Sequence, residues 1–283
     1  MKKIIVLLPV LTLAACATQS VNETEAPAPA APTVTEAPVV RKEEPKPVVV
    51  EEPVRPQIPT TPSQYAALNE AIKSQSDEKI YQASTQILAQ SSNDAKALNA
   101  LAMYHYKRGR YDLCRYLLSK AIAGNPRMAE LYSNMGIVQL AQNEKRDAIK
   151  SFRKALDINN DEAVAAANLG AIYVQEKDYS KAQVVLETAY RRGVRDPRVL
   201  NNYAIALTAN RKYEKAEDLY KTILKDSASN KDALYNYATL LVDNMGKYQE
   251  GLEVINRLKF VGGPADTRNR IIALENKAKA GLK

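Results

Sequence analysis

The side chains able to do chemistry are few and scattered. The chain of 283 residues holds one histidine, His105, and two cysteines, Cys16 and Cys114. A single histidine excludes a multi-histidine metal site or a histidine proton relay, and two cysteines are too few for a zinc module or a disulfide framework. Only ten glycines are present, and neither GxGxxG nor GxxxxGKS/T occurs, so no phosphate-cradling loop is expected. Carboxylates remain, but pairs such as Asp161-Glu162 and Glu217-Asp218 are adjacent in sequence and point apart. General acid/base work needs two carboxylates across a cleft. No catalytic residue, metal site or cofactor is therefore expected. The polar groups that recur are amides: Asn134, Asn168, Asn202 and Asn236 stand 34 residues apart. An amide offers donors and an acceptor together, which suits holding another chain rather than transforming it.

The elements that must position those amides follow the same interval. From residue 95, small residues recur at Ala102, Gly136, Gly170, Ala204 and Ala238, preceded by large apolar residues at Leu101, Met135, Leu169, Tyr203 and Tyr237. A second small column runs through Cys114, Ala148, Ala182 and Ala216, and a third through Ala121, Ala155 and Ala189, with Ile223 as its departure. Apolar residues fall three and four apart in each half of the period, as in Leu98, Leu101, Ala102 and His105, which predicts two amphipathic helices per unit. Small columns mark where paired helices approach closely. His105 and Cys114 fall on buried positions, so a packed imidazole and an inert thiol are expected.

These columns resemble tetratricopeptide repeats, whose period is also about 34 residues. The match is continuous over 95–128, 129–162, 163–196 and 197–230. A fifth unit, 231–265, carries one extra residue, because Tyr248 and Gly251 fall one place late. The expected fold is all-α, a right-handed superhelix of helix hairpins. A degenerate N-terminal repeat at 63–94 precedes five repeats at 95–265, and a C-terminal capping helix occupies 266–283, opened by Pro264. Departures from the family pattern are Lys145 in place of tyrosine and Gln139 in place of an apolar residue.

The resemblance implies that the first helix of each repeat lines a concave face. Asn134, Asn168, Asn202 and Asn236 would then either grip a bound peptide backbone or fix helix packing. Met103, Tyr106, Ile137, Leu140, Ala171, Val174, Ile205, Tyr235 and Val242 would supply an apolar lining suited to a helix or extended segment of a partner. Arg191, Arg192, Arg195 and Arg198 crowd one turn, and Lys107, Arg108 and Arg110 another; such clusters either meet an acidic partner or are solvated.

The N-terminus reads as an address. Lys2 and Lys3 precede a ten-residue apolar run, Ile4 to Leu13, too short for the roughly 20 helical residues that a bilayer core requires. Leu13-Ala14-Ala15-Cys16 resembles a bacterial lipobox, which implies a signal peptide at 1–15 and lipidation of Cys16. Ala17 at the next position implies the outer membrane, facing the periplasm. Residues 16–62 contain ten of the fourteen prolines, and a disordered, extended tether is expected there. Residues 1–62 carry six basic and seven acidic side chains, a net of −1, so residues 63–283 carry a net of +9 within the formal total of +8. In the periplasm that basic balance points away from nucleic acid, toward anionic lipid, wall polymer or an acidic protein.

Lipobox and repeats together resemble lipoproteins that help type IV pilus secretins assemble in the outer membrane. The stretch Arg198-Val199-Leu200-Asn201-Asn202-Tyr203 is similar to that group. The expected function is a non-enzymatic, lipid-anchored adaptor whose groove binds an envelope protein or peptide of a pilus or motility machine. The alternative is a scaffold regulating peptidoglycan synthases or hydrolases. The oligomeric state stays open.

Overall fold

A computed structural model describes residues 64–283; the expected signal peptide, lipidated Cys16 and tether lie outside the described residues. Every regular element among the described residues is helical. Six hairpins follow one another: α1 (Ala66–Lys73) with α2 (Asp77–Gln90), α3 (Ala95–Lys107) with α4 (Tyr111–Gly124), and α5 (Ala129–Ala141) with α6 (Lys145–Ile158). Next come α7 (Ala163–Gln175) with α8 (Tyr179–Arg191), α9 (Pro197–Ala209) with α10 (Tyr213–Asp226), and α11 (Lys231–Thr239) with α12 (Tyr248–Val261). The last helix is α13 (Arg268–Gly281).

Local chemistry starts and stops these helices at repeating places. Asp94, Glu162, Asp196 and Asn230 each accept a hydrogen bond from a backbone N–H in the first turn of α3, α7, α9 and α11, satisfying a donor that the helix itself leaves free. Between the two helices of a hairpin one residue takes positive φ: Gln75, Gly109, Asn143, Lys177 and Arg211, at +53° to +71°. The interval is 34 throughout, so the poorly patterned first hairpin keeps the register of the others. In the last hairpin the left-handed residue is Gly246, at an interval of 35. The extra residue is absorbed just before it, where Leu240–Met245 is π-helical and the N–H of Lys247 reaches the carbonyl of Leu241.

The small columns are the seams of the core. Ala102, Ala148, Ala155, Ala182, Ala189, Ala204, Ala216 and Ala238 have no exposed surface. A Cβ built on Gly136 would lie 2.6 Å from Phe152 Cε1, and one on Gly170 would press on Leu186, so the larger residue on the second helix demands glycine on the first. The departures are compensated. Buried Gln139 accepts from Ser151 Oγ at 2.7 Å, and Lys145 pairs with Glu176 at 2.9 Å. The last helix begins later than Pro264 suggests: Asp266 turns left-handed at φ +63°, the Thr267 hydroxyl donates to the Pro264 carbonyl, and helix geometry starts at Arg268.

Candidate partner-binding groove

The first helices touch in the order α3, α5, α7, α9 and α11, which lays one row of helices along one face of the stack. Leu140, Val174, Ile205 and Tyr235 are half-buried on that row, as is Ala171. These side chains combine apolar surface with access, as a peptide-holding lining requires. Three expected lining residues sit deeper. Ile137 has no exposed surface, Met103 retains 3 % and Tyr106 7 %, and Val242 is buried within the π-helical stretch. This corrects the expected lining: Tyr106 packs on Tyr111 at the start of α4 and Val242 on Gly251 of α12, inside their own hairpins, and Met103 and Ile137 are buried as well. Burial drives the Tyr106 hydroxyl up to about 12, with Tyr111 and Cys114 adding to the shift.

The asparagine series divides. Asn134 Nδ2 donates to Asn99 Oδ1 at 2.7 Å, and Asn236 Nδ2 donates to Asn201 Oδ1 at 3.0 Å. Both bonds cross from one first helix to the next, so these amides clamp neighbouring repeats. Asn168 Nδ2 donates to the carbonyl of Val164 within α7. Asn202 is half-buried and makes no side-chain hydrogen bond to a described residue. Asn99 and Asn201 were not singled out from sequence, although both occupy the fifth position of their repeats; Ser133, Ala167 and Tyr235 at the matching places hide the pattern.

Glu162 is a second feature invisible to spacing. Its carboxylate, buried between α5 and α7, accepts from Ser133 Oγ at 2.6 Å and from the Ala165 N–H. Burial raises its pKa even though both bonds favour the charged form. Its neighbour Asp161 faces outward toward Arg191 at 3.7 Å, so the adjacent pair does point apart. Glu217 is likewise buried while Asp218 is exposed. Burial pushes Glu217 up, but hydrogen bonds from Lys221, Lys247 and Tyr237 prevail and hold it below the ordinary carboxylate range. These are structural ion pairs within and between hairpins.

Cys114 has no exposed surface and burial lifts its thiol to about 12, which leaves it protonated and inert. His105 is buried, its Nδ1 has no partner, and burial, aided by Arg110 and Arg108, lowers its pKa. Among the described residues no group of three or more His, Cys, Asp or Glu side chains is placed to hold a metal. The basic turns are largely engaged internally. Lys107 and Arg108 pair with Asp77, Arg198 with Asp196, and Arg195 lies over the Tyr190 ring while donating to the Tyr190 carbonyl.

Comparison with known proteins agrees with this architecture. Family models described as tetratricopeptide repeat match residues 99–163, 140–204 and 204–266. Pseudomonas aeruginosa "Type IV pilus assembly protein PilF" is 29% identical over 127 residues, covering 45% of this chain and 48% of that protein. A TPR repeat-containing protein of Dictyostelium discoideum is 25% identical over 133 residues, 44% of this chain and 51% of its own. The chain thus spans about half the length of the curated relatives it matches. Among solved structures, YrrB, titled "a TPR protein with an unusual peptide-binding site", superposes with a TM-score of 0.56 at 18% identity, covering 71% of this chain and 99% of that one.

Proposed function

The chain belongs to the tetratricopeptide-repeat family, and we propose that it is an adaptor, lipid-anchored through Cys16 and facing the periplasm from the outer membrane. Its groove captures a segment of an envelope machine, a type IV pilus secretin above all. The repeat fold is a protein-binding scaffold, and one observation carries the reading of the groove. Leu140, Val174, Ile205 and Tyr235 form a half-buried apolar row on the helices that also carry Asn202, an amide with no partner among the described residues. An extended peptide laid there would bury its side chains on the row and bond its backbone to amides. The similarity to PilF over 127 residues and the lipobox-like Leu13-Ala14-Ala15-Cys16 support the pilus and envelope parts of the reading.

The test is photo-crosslinking in living cells, with the reactive group at Ile205 in the groove or at Val184 on the exposed side of α8. Capture of a secretin subunit through 205 and not through 184 is expected. Capture of peptidoglycan synthases or hydrolases through 205 would replace the pilus role, and equal capture from both positions would refute the groove. Cys16→Ser should release the protein from the membrane fraction; retention there would refute the anchor.

A further inference from the structure

The carboxy-terminal hairpin carries surface that the groove reading does not use. Of the chain's two phenylalanines, Phe152 has no exposed surface, whereas Phe260, in the last turn of α12, is 92 % exposed. Three of the seven large apolar residues exposed in the described chain, Phe260, Ile272 and Leu282, fall within its last 24 residues. They belong to one terminal unit. α13 buries Ile271, Leu274 and Ala278 against the stack, and Arg268, Ile272, Asn276 and Lys279 succeed one another at three- and four-residue steps on an exposed side, with Lys283 beyond the helix end. Lys259, immediately before Phe260, pairs with Glu275 at 2.9 Å, which ties the end of α12 to this helix.

The charge balance of residues 259–283 leans basic, six basic side chains against two acidic ones. Lys259 and Lys279 share Glu275, and Lys277 pairs with Asp243 at 2.7 Å, so both carboxylates are already neutralised. Arg268, Arg270 and Lys283 make no side-chain hydrogen bond or ion pair to a described residue; Asp266 is the one exposed acid within residues 259–283, and Glu253 is exposed two turns before Phe260 on α12. Unpaired cations thus share this terminal segment with a protruding aromatic ring and an exposed isoleucine.

We infer that this end of the solenoid is a docking surface for anionic phospholipid, with Phe260 and Ile272 entering the headgroup layer while Arg268, Arg270 and Lys283 meet lipid phosphates. A protruding ring needs a partner that yields to it, and a fluid interface does so without a matching pocket. Each Lys or Arg held near an anionic bilayer strengthens binding about fivefold. The inference stands apart from the groove and from Cys16, and either can fail without it.

The chain contains no tryptophan, so Phe260→Trp creates a reporter at one site. Full-length chain carrying Cys16→Ser and Phe260→Trp would be titrated with phosphatidylglycerol/phosphatidylcholine vesicles. The emission should shift to shorter wavelength and be quenched by brominated lipid, and 0.5 M salt, roughly a 4 Å screening length, should reverse both. Arg268→Gln with Arg270→Gln should weaken the response about 25-fold, and Val184→Trp, on the exposed side of α8, should show none. An unshifted Phe260→Trp signal, an equal shift on pure phosphatidylcholine, or an equal response at 184 would overturn the inference. So would a shift with polyglutamate but not with vesicles, which would mean an acidic protein partner instead.

Discussion

Gly170→Ala tests whether close helix approach, rather than backbone freedom, selects the small column. Gly170 sits inside α7, where alanine is the better helix former by about 1 kcal/mol. The added methyl, however, would meet Leu186, whose Cδ2 lies 2.6 Å from the new Cβ and which has no exposed surface into which to turn. Overpacking of this kind costs about 1–3 kcal/mol, so the net change should be a destabilisation of about 1 kcal/mol. Leu186→Ala alone should cost about 2–5 kcal/mol by leaving a cavity. Within that cavity the Gly170 methyl finds room, and Gly170→Ala should then stabilise by about 1 kcal/mol. Urea unfolding of the four proteins of this cycle, followed by far-ultraviolet circular dichroism, reads the sign. If Gly170→Ala destabilises equally in both backgrounds, or stabilises in both, the steric account is wrong.

Lys177 and Arg211 hold positive φ with exposed side chains that make no hydrogen bond or ion pair to a described residue. Changing either to glycine should raise the urea midpoint, a stabilisation of about 0.5–1 kcal/mol each, and a fall at either position would contradict the turn assignment. His105 has a lowered pKa in the fold, so stability present above its unfolded value is lost as pH falls through the folded one. His105→Leu should remove the unpartnered Nδ1 and flatten the fall in stability between about pH 7 and 5, as seen by thermal melts at both pH values. Glu217 is also lowered, so its stabilisation is present above its unfolded pKa near 4.3 and is lost on further acidification. Glu217→Gln should destabilise at pH 7 and show a shallower acid limb in the same melts.

What sequence disclosed and what it hid divide along a physical line. Hairpins were legible because burial repeats every 34 residues, and the single surplus residue of the fifth unit was legible because Tyr248 and Gly251 slip together. How the chain absorbs that surplus, by a π-helical stretch rather than a longer turn, depends on hydrogen bonding that no residue type announces. The first hairpin looked degenerate because its columns are poor; its register shows only in the backbone of Gln75. In the groove, spacing placed Leu140, Val174, Ile205 and Tyr235 on the accessible row. It misplaced Met103, Tyr106, Ile137 and Val242, because depth is set by how near the adjacent helix comes, a property of two segments at once. The amide clamps escaped notice for the same reason: each needs Asn on two consecutive helices, one place out of step.

Those clamps are unevenly spread along the inner wall. The joint from α3 to α5 is clasped by Asn99 and Asn134, that from α5 to α7 by Ser133 and Glu162, and that from α9 to α11 by Asn201 and Asn236. Between α7 and α9 no side-chain hydrogen bond crosses, and apolar packing alone holds the inner edges together. That joint, midway along the wall with Asn168 and Asn202 on either side, is also where two first helices make their most extensive contact, so polar clasps and close backbone approach substitute for one another along the row.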